Sequence, residues 1–255
     1  MNSVTANLEK PIGGRAYGSI PHLPGSRRGP GDHGVNIGQF RMCCEKSVNG
    51  SRAICQYKLD GSCCAVARVN GELLALGKAG YLARTSRFEQ HQMFADWVDA
   101  SDVQFEWLQE GERVVGEWLA QAHGTRYDLE GTRRDAFVVF DLMRGHRRAT
   151  VDEFTARLDA ANSPLSRPPV IDSLPFVSMA RVHAALQIPQ YGELDPCEGA
   201  VWRVERGDEV LFLAKYVRPD KQDGKYLPEI SGHDPVWNYR PEWDFPWLTK
   251  RGNNE

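Results

Sequence analysis

Asn70-Gly71 lies between two strand-like runs, Ser62 to Val69 and Glu72 to Lys78, and constrains this chain more tightly than any other dipeptide in it. A two-residue hairpin loop needs positive φ at both central positions, which Asn and Gly adopt at least cost, so the two runs are expected to pair antiparallel. Just before them, Ala53 to Asp60 alternates and is rich in Ile, Cys, Gln and Tyr, the pattern of another strand. Together they predict a three-stranded meander over residues 53–78. Lys58-Leu59-Asp60-Gly61 then falls at a strand end, beside a tight Gly61 turn, on a rigid sheet.

The rest of the chain alternates helix and strand signals. Phe88, Met93, Phe94 and Trp97 recur near helical spacing and predict a core-facing helix over Arg87 to Trp97. Arg113 to Leu119 and Asp135 to Leu142 read as strands. Thr150 and Glu153 form a capping-box pattern that opens a helix to about Ala161, and three prolines in Ser163 to Pro169 break it. A short helix is expected over Met179 to Leu186. A hairpin is expected from Ala200–Glu205 to Glu209–Val217, across Arg206-Gly207-Asp208. Meanders and hairpins with helices set among them imply an α+β domain of mainly antiparallel sheets. Residues 1–35 are rich in Gly, Pro and Ser and read as an N-terminal arm or loop; 36–232 form the main domain, and 233–255 an aromatic-rich tail. That tail holds Trp237, Tyr239, Trp243, Phe245 and Trp247, which either close the domain edge by packing or stack on unpaired bases.

Composition narrows the classes. A chain of 255 residues, 41% of them hydrophobic, can bury a substantial core, and no apolar run approaches membrane-spanning length. Met1 to Lys10 lacks the apolar stretch of a secretory signal. Six cysteines without a Cys-x-x-Cys pair suit a reducing compartment, so a cytoplasmic location is expected. Net charge −3 argues against a protein that coats nucleic acid indiscriminately. Basic clusters nonetheless occur at Arg27-Arg28, Arg133-Arg134, Arg144 with Arg147-Arg148, and Lys215, Arg218, Lys221 and Lys225. Each alone reads as a solvated face; around a phosphate-handling site they become candidate strand contacts.

A Lys-x-Asp-Gly tetrapeptide alone is weak, since chance supplies one in roughly every twenty chains of this length. Its amine attacks phosphorus or carbonyl carbon only when neutral, a state favoured by desolvation and nearby positive charge. What gives it meaning is the order of segments that follow: Val115-Gly116-Glu117-Trp118, Phe137-Val138-Val139-Phe140-Asp141, Glu198-Gly199-Ala200-Val201-Trp202-Arg203, and Leu213-Ala214-Lys215-Tyr216-Val217-Arg218. In that order they resemble the motifs of the covalent nucleotidyltransferase superfamily, and more closely its RNA-ligase branch. Tyr17 to Arg27 and Gly80 to Ser86 also look like bacterial members of that branch, so the likeness covers roughly residues 17–232.

The resemblance implies a nucleotidyltransferase (ATP-grasp-like ligase) core of antiparallel sheets flanked by helices. It also implies an ATP-dependent RNA ligase using magnesium: Lys58 takes AMP from ATP, AMP passes to an RNA 5′-phosphate, and an RNA 3′-hydroxyl displaces it. Lys215 would lie over the α-phosphate and help keep Lys58 neutral. Lys78 stands where the family usually has Arg, and Arg203 closes the Glu-Gly-x-Val-x-basic motif as a candidate phosphate contact. Glu117 resembles the ribose-binding carboxylate, Glu198 and Asp60 are candidates for magnesium through water, and Asp141 is a candidate for the same region. Phe140 is expected to stack on adenine; three residues along a strand, Phe137 must face the other way. Gln56 and Tyr57 flank the nucleophile as candidate readers of the adenine edge. Arg27, Arg28, Arg218 and Lys221 are candidate RNA contacts. Family members often carry Lys-x-Lys in the last motif; here Arg218 or Lys221 stands in for the second cation, or none does. His123 and Tyr127 follow Glu117 in a family-like pattern without an assignable role. Forty residues after Lys215 are too few for the OB-fold that DNA ligases and capping enzymes add, which counts against a minimal DNA ligase or guanylyltransferase. A nucleotide- or RNA-binding module without turnover is the remaining alternative.

Overall fold

The computed structural model describes residues 10–240. Its strands are β1 (Arg52–Lys58), β2 (Ser62–Val69), β3 (Glu72–Gly77), β4 (Glu112–Trp118), β5 (Phe137–Arg144), β6 (Arg147–Arg148), β7 (Val170–Leu174), β8 (Gly199–Arg206) and β9 (Glu209–Val217). The helices are α1 (Ile37–Cys44), α2 (Glu89–Ala100), α3 (Leu129–Thr132), α4 (Val151–Ala160), α5 (Met179–Ala185) and α6 (Pro228–Ser231). The strands form two antiparallel sheets, a five-stranded one in the order β3-β2-β4-β5-β6 and a four-stranded one in the order β7-β1-β8-β9. Beyond Val217 the described residues contribute the short α6 and no strand.

The β2–β3 hairpin forms as the Asn-Gly signal requires: Val69 pairs with Glu72, and Asn70 and Gly71 take φ of 53° and 82°. The expected meander does not extend to the first strand. β1 pairs with β8 and β7, not with β2, so the chain changes sheets at Leu59-Asp60-Gly61. Neighbours in sequence usually pair, but here the link is pulled apart by partners from elsewhere. The Asp60 N–H donates to the Tyr127 hydroxyl at 2.9 Å, and the Gly61 N–H donates to the Glu117 carboxylate at 3.1 Å. Gly61 packs so closely on the Trp118 carbonyl that any β-carbon there would collide with it.

Strand alternation divides the core. On one face of the five-stranded sheet, Cys64, Val66, Val114 and Phe137 pack with α2 and α4 through Phe94, Trp97, Phe154 and Leu158. On the other face, Ala65, Ala67, Val115 and Met143 pack under Ala16 and Tyr17 of the N-terminal segment. The four-stranded sheet has its own core, where Cys55, Tyr57, Trp202 and Ala214 meet Cys43 of α1 and Val182 of α5. The Thr150 hydroxyl caps α4 by accepting the Glu153 N–H at 3.2 Å.

The N-terminal segment straps both sheets. The Tyr17 N–H donates to the Lys78 carbonyl at 3.2 Å, while Leu23 N–H and Lys215 O, and Lys215 N–H and Pro21 O, bond at 2.8 and 2.9 Å. At the other end, Asn238 donates its side-chain amide to Leu119 O and accepts the Tyr127 N–H, and Tyr239 packs edge-on against Trp118. Trp237 also packs on the core; Trp243, Phe245 and Trp247 lie outside the described residues.

One buried ion cluster joins the sheets. Asp141 of β5 is fully buried, accepts hydrogen bonds from the Tyr17 hydroxyl (3.0 Å) and Arg148, and pairs with Arg203 of β8 at 2.8 Å. Arg203 also donates to the Ala149 and Phe140 carbonyls. Removing one partner of such a cluster strands a charge away from water. Arg203→Met is therefore expected to cost about 3–5 kcal/mol of stability, read as a large drop in the urea midpoint.

Candidate active site

A cleft of about 830 Å³ opens between the two sheets, bordered by Tyr17, Gln56, Lys58, Lys78, Glu117, Phe140 and Lys215 among others. Lys58 reaches it because β1 ends there. The pairing of Lys58 with Gly199 sets Glu198, the residue before β8, beside it, and the Lys58 Nζ donates to Glu198 Oε2 at 2.6 Å. The pairing of Val201 with Lys215 brings β9's lysine to the same cleft. Glu117 enters from β4 in the other sheet, so the charged groups converge from both sheets.

Their electrostatics are asymmetric. Burial pushes the Lys58 pKa down, but Glu198, Glu117 and Asp60 outweigh it, and the pKa is raised overall. The expectation that Lys215 keeps Lys58 neutral therefore does not describe this resting state; the nearer carboxylates win. Lys215 itself is the more acidic lysine, lowered first by burial and then by the charge of Lys58. Burial also raises Glu198, against the pull of Lys58. Glu117 is raised to about 7 by burial, despite Lys58 and with help from Glu198.

Several expected site residues do lie at the cleft. Gln56 borders it, with its amide donating to the Pro168 carbonyl at 3.3 Å. Lys78 borders it just past β3. Phe140 borders it too, edge-on to Tyr17 at 5.3 Å, while Phe137 is buried among Phe94 and Trp97 on the opposite face.

Others are committed elsewhere. Tyr57 adjoins the cleft, but its ring lies in the core of the four-stranded sheet and its hydroxyl donates to the Ala185 carbonyl at 2.8 Å, as strand alternation demands beside an inward Lys58. It is not placed to read a base edge. Asp60, expected near a metal, is buried, accepts the Gly124 N–H at 2.8 Å and is ion-paired with Lys221. Lys221, expected to contact RNA, is thereby buried with it. Asp141, expected near a metal, is instead ion-paired with Arg148 and Arg203 in the joint between the sheets; Arg203, expected at a phosphate, borders the cleft but is held by that pairing. Arg27 and Arg28 are exposed; Arg27 bonds Asp223 and the Lys221 carbonyl, and Arg218 pairs with Asp220 at 3.4 Å.

The structure also supplies roles that spacing could not. Tyr127 receives the Asp60 N–H and so fixes the link after Lys58. His123 lies 3.0 Å from Gln90 Oε1 and 3.4 Å from Ser62 Oγ, lining the cleft. Among the described residues, no group of three His, Cys, Asp or Glu side chains is arranged to hold a metal ion. No helix among them is long and apolar enough to cross a membrane.

A carboxyl whose folded pKa lies above its unfolded value of 4.5 destabilises the fold once the unfolded chain ionises. For Glu117 that penalty grows from about pH 4.5 to about 7 and is fully present above. Glu117→Gln is expected to stabilise the protein by about 2–3 kcal/mol near pH 8 and by nothing near pH 4, as thermal unfolding at the two pH values would show.

Comparison with known proteins agrees with this architecture. The sequence model of the RNA ligase family matches residues 51–217, from the start of β1 to the end of β9. Among solved structures, a lysine-to-alanine variant of the Naegleria gruberi RNA ligase with ATP and manganese aligns at a TM-score of 0.51 and 16% identity, over 77% of this chain and 58% of that one. A second such variant aligns at 0.50 and 18%, over 74% and 54%. The chain thus spans a little over half the length of these structures, and at such identity the likeness concerns the fold. No curated protein sequence matches it. With more than half its length matched by one family, the chain belongs to the RNA ligase family.

Proposed function

We propose that this protein is an ATP-dependent RNA ligase that works through AMP bound covalently to Lys58. The observation that carries the reading is the position of the Lys58 amine. It stands where the chain changes sheets, at a cleft large enough for a nucleotide, with Glu198 at 2.6 Å and Lys78, Glu117 and Lys215 around it. The Naegleria ligase bound to ATP and manganese supports the nucleotide and a divalent ion.

In-line phosphoryl transfer asks for positioning and for cations over the phosphate oxygens. Lys58 must first lose a proton, and Glu198 Oε2 is the acceptor already in contact. The free amine then attacks the α-phosphorus. A P–N bond forms, the P–O bond to the β-phosphate breaks, and pyrophosphate leaves with the electron pair. Lys215 and Lys78 supply positive charge at this end of the cleft, Glu117 accepts from the ribose, and adenine lies against Phe140 near Gln56. Among the described residues no three ligating side chains are grouped, so a magnesium ion would be held by Glu198 and Glu117 through water and would depend on the nucleotide's phosphates for the rest of its ligands. Such an ion would neutralise phosphate charge. The AMP then passes to an RNA 5′-phosphate, and a 3′-hydroxyl displaces it. Arg28, exposed and outside the cleft lining, remains available to strand phosphates, and Arg27 and Arg218 would join it by exchanging Asp223 and Asp220 for them.

ATP labelled at the α-phosphate, with magnesium, is expected to leave an acid-labile label on the protein, and Lys58→Ala to abolish it. An unlabelled wild-type protein would refute the reading, and a label from GTP instead would indicate capping chemistry. Lys215→Ala is expected to slow labelling by about a hundredfold or more, as removal of a preorganised charge partner does. Because the Lys58 ammonium is the resting form, the labelling rate should rise with pH; a flat profile would exclude its deprotonation as a kinetic requirement.

A further inference from the structure

The cleft does not end at Lys58. Gln56 of β1 and Val201 of its partner β8 line part of it, together with Tyr17 and with Phe140 of β5 from the other sheet. Past the Gly61 turn the cleft continues along α2 and the loop after β4, where it is lined by Arg87, Phe88, Gln90, His91 and His123. Leu227, Glu229 and Ile230, in and just before α6, border it as well. This second lobe contains a formed aromatic platform. The Arg87 guanidinium lies 4.8 Å over the Phe88 ring, Phe88 meets His91 edge-on at 5.7 Å, and His91 Nδ1 lies 2.8 Å from Ser86 Oγ.

Two occupants fit a space beyond the α-phosphate: the β- and γ-phosphates of ATP, or part of the RNA. Polyphosphate calls for clustered cations and free N–H groups. The lobe instead offers apolar Phe88, Leu227 and Ile230, a carboxylate on Glu229, and one arginine already laid over a ring. Burial lowers the pKa of both His91 and His123, leaving neutral donor–acceptor rings. Such a surface suits a flat, uncharged heterocycle. Unpaired bases are recognised in this way, by stacking on aromatic and Arg planes and by hydrogen bonds to their edges.

Chemistry then decides which base. During AMP transfer, an oxygen of the RNA 5′-phosphate attacks the phosphorus on Lys58. The P–N bond breaks and its electron pair returns to Nζ, which takes up a proton, while a P–O–P bridge joins AMP to the RNA. In-line displacement brings the RNA phosphate in opposite Nζ, so with adenine on the Phe140 side the 5′-terminal nucleoside is tethered two phosphates from adenosine, and the lobe past the Gly61 turn is the part of the cleft left to it. Resting on the ligase reading above, we propose that the Phe88–His91 lobe binds the unpaired 5′-terminal nucleobase of the strand being activated. The preferred donor is then a single-stranded 5′ end, because in a nicked duplex that base remains paired and stacked.

The experiment uses wild-type protein charged with labelled AMP and freed of ATP. It is mixed with 5′-phosphorylated single-stranded RNAs that differ only in whether the first nucleotide is abasic. AMP transfer is normalised to the adduct each protein carries. Transfer to the intact strand is expected to be faster by roughly tenfold or more, the effect of one stacked base. In Phe88→Ala, and to a smaller extent in Phe88→Leu, that ratio should fall toward one. Equal rates for the two strands in the wild type would overturn the proposal even if neither variant folds. So would an undiminished ratio in both folded variants, or equally fast transfer to a strand whose first base is paired. Failure of ATP to charge Lys58 at all would instead refute the ligase reading itself, and that is measured first.

Discussion

The cleft exists because Asp141 holds two sheets at one separation. Its carboxylate is fully buried and draws in Arg203 from the four-stranded sheet, Arg148 from the end of the five-stranded one and Tyr17 from the N-terminal segment. Burial and the adjoining carboxylate keep the Tyr17 hydroxyl protonated, and hence a donor. A buried charge with several partners in fixed directions tolerates little displacement, since any slack leaves it unsolvated. Phe140, whose carbonyl accepts from Arg203 and whose ring meets Tyr17, is positioned by the same cluster. The joint between the sheets and one wall of the cleft are therefore a single construction.

A second charged cluster sorts the carboxylates around Lys58. Lys221 and the Gly124 N–H satisfy Asp60, whose pKa is lowered: burial opposes ionisation, and Lys221 prevails. Glu198 takes Lys58 as its partner. Glu117 retains one backbone donor, and burial raises its pKa to about 7. The segment Leu59 to Gly61 is held by groups from three parts of the chain, so the amine before it projects from a fixed base.

Local order was legible where local chemistry decides it. The limits of β2 and β9 follow from alternation and from Asn70-Gly71 and Gly207, and the Thr150 cap marks the start of α4. Phe140 could be separated from Phe137 because three residues reverse a strand's face. Pairing was less legible: a three-residue link between β1 and β2 resembles a hairpin loop, yet its partners lie in other segments. Charged residues were the least legible. Arg203, Asp141, Asp60 and Lys221 have the residue types of phosphate and metal contacts, but each finds an opposite charge far away in sequence and is buried with it. Tyr57 shows the same limit, since adjacency to a nucleophile on a strand means pointing away from it.

The sequence by itself determined the antiparallel α+β character, the order of the motif segments and the lysine at the end of the first strand. These depend on side-chain periodicity, on turn residues and on residue identity, all readable within a few positions. Only the tertiary structure decided which sheet Lys58 belongs to, that Glu198 is its partner, and which cations are free for a ligand. It also decided that the cleft runs on past the amine to Phe88 and His91. Those outcomes depend on competition among charges and donors far apart in sequence, from 56 residues for Gly61 and Glu117 to 161 for Asp60 and Lys221, and burial sets the strength of each.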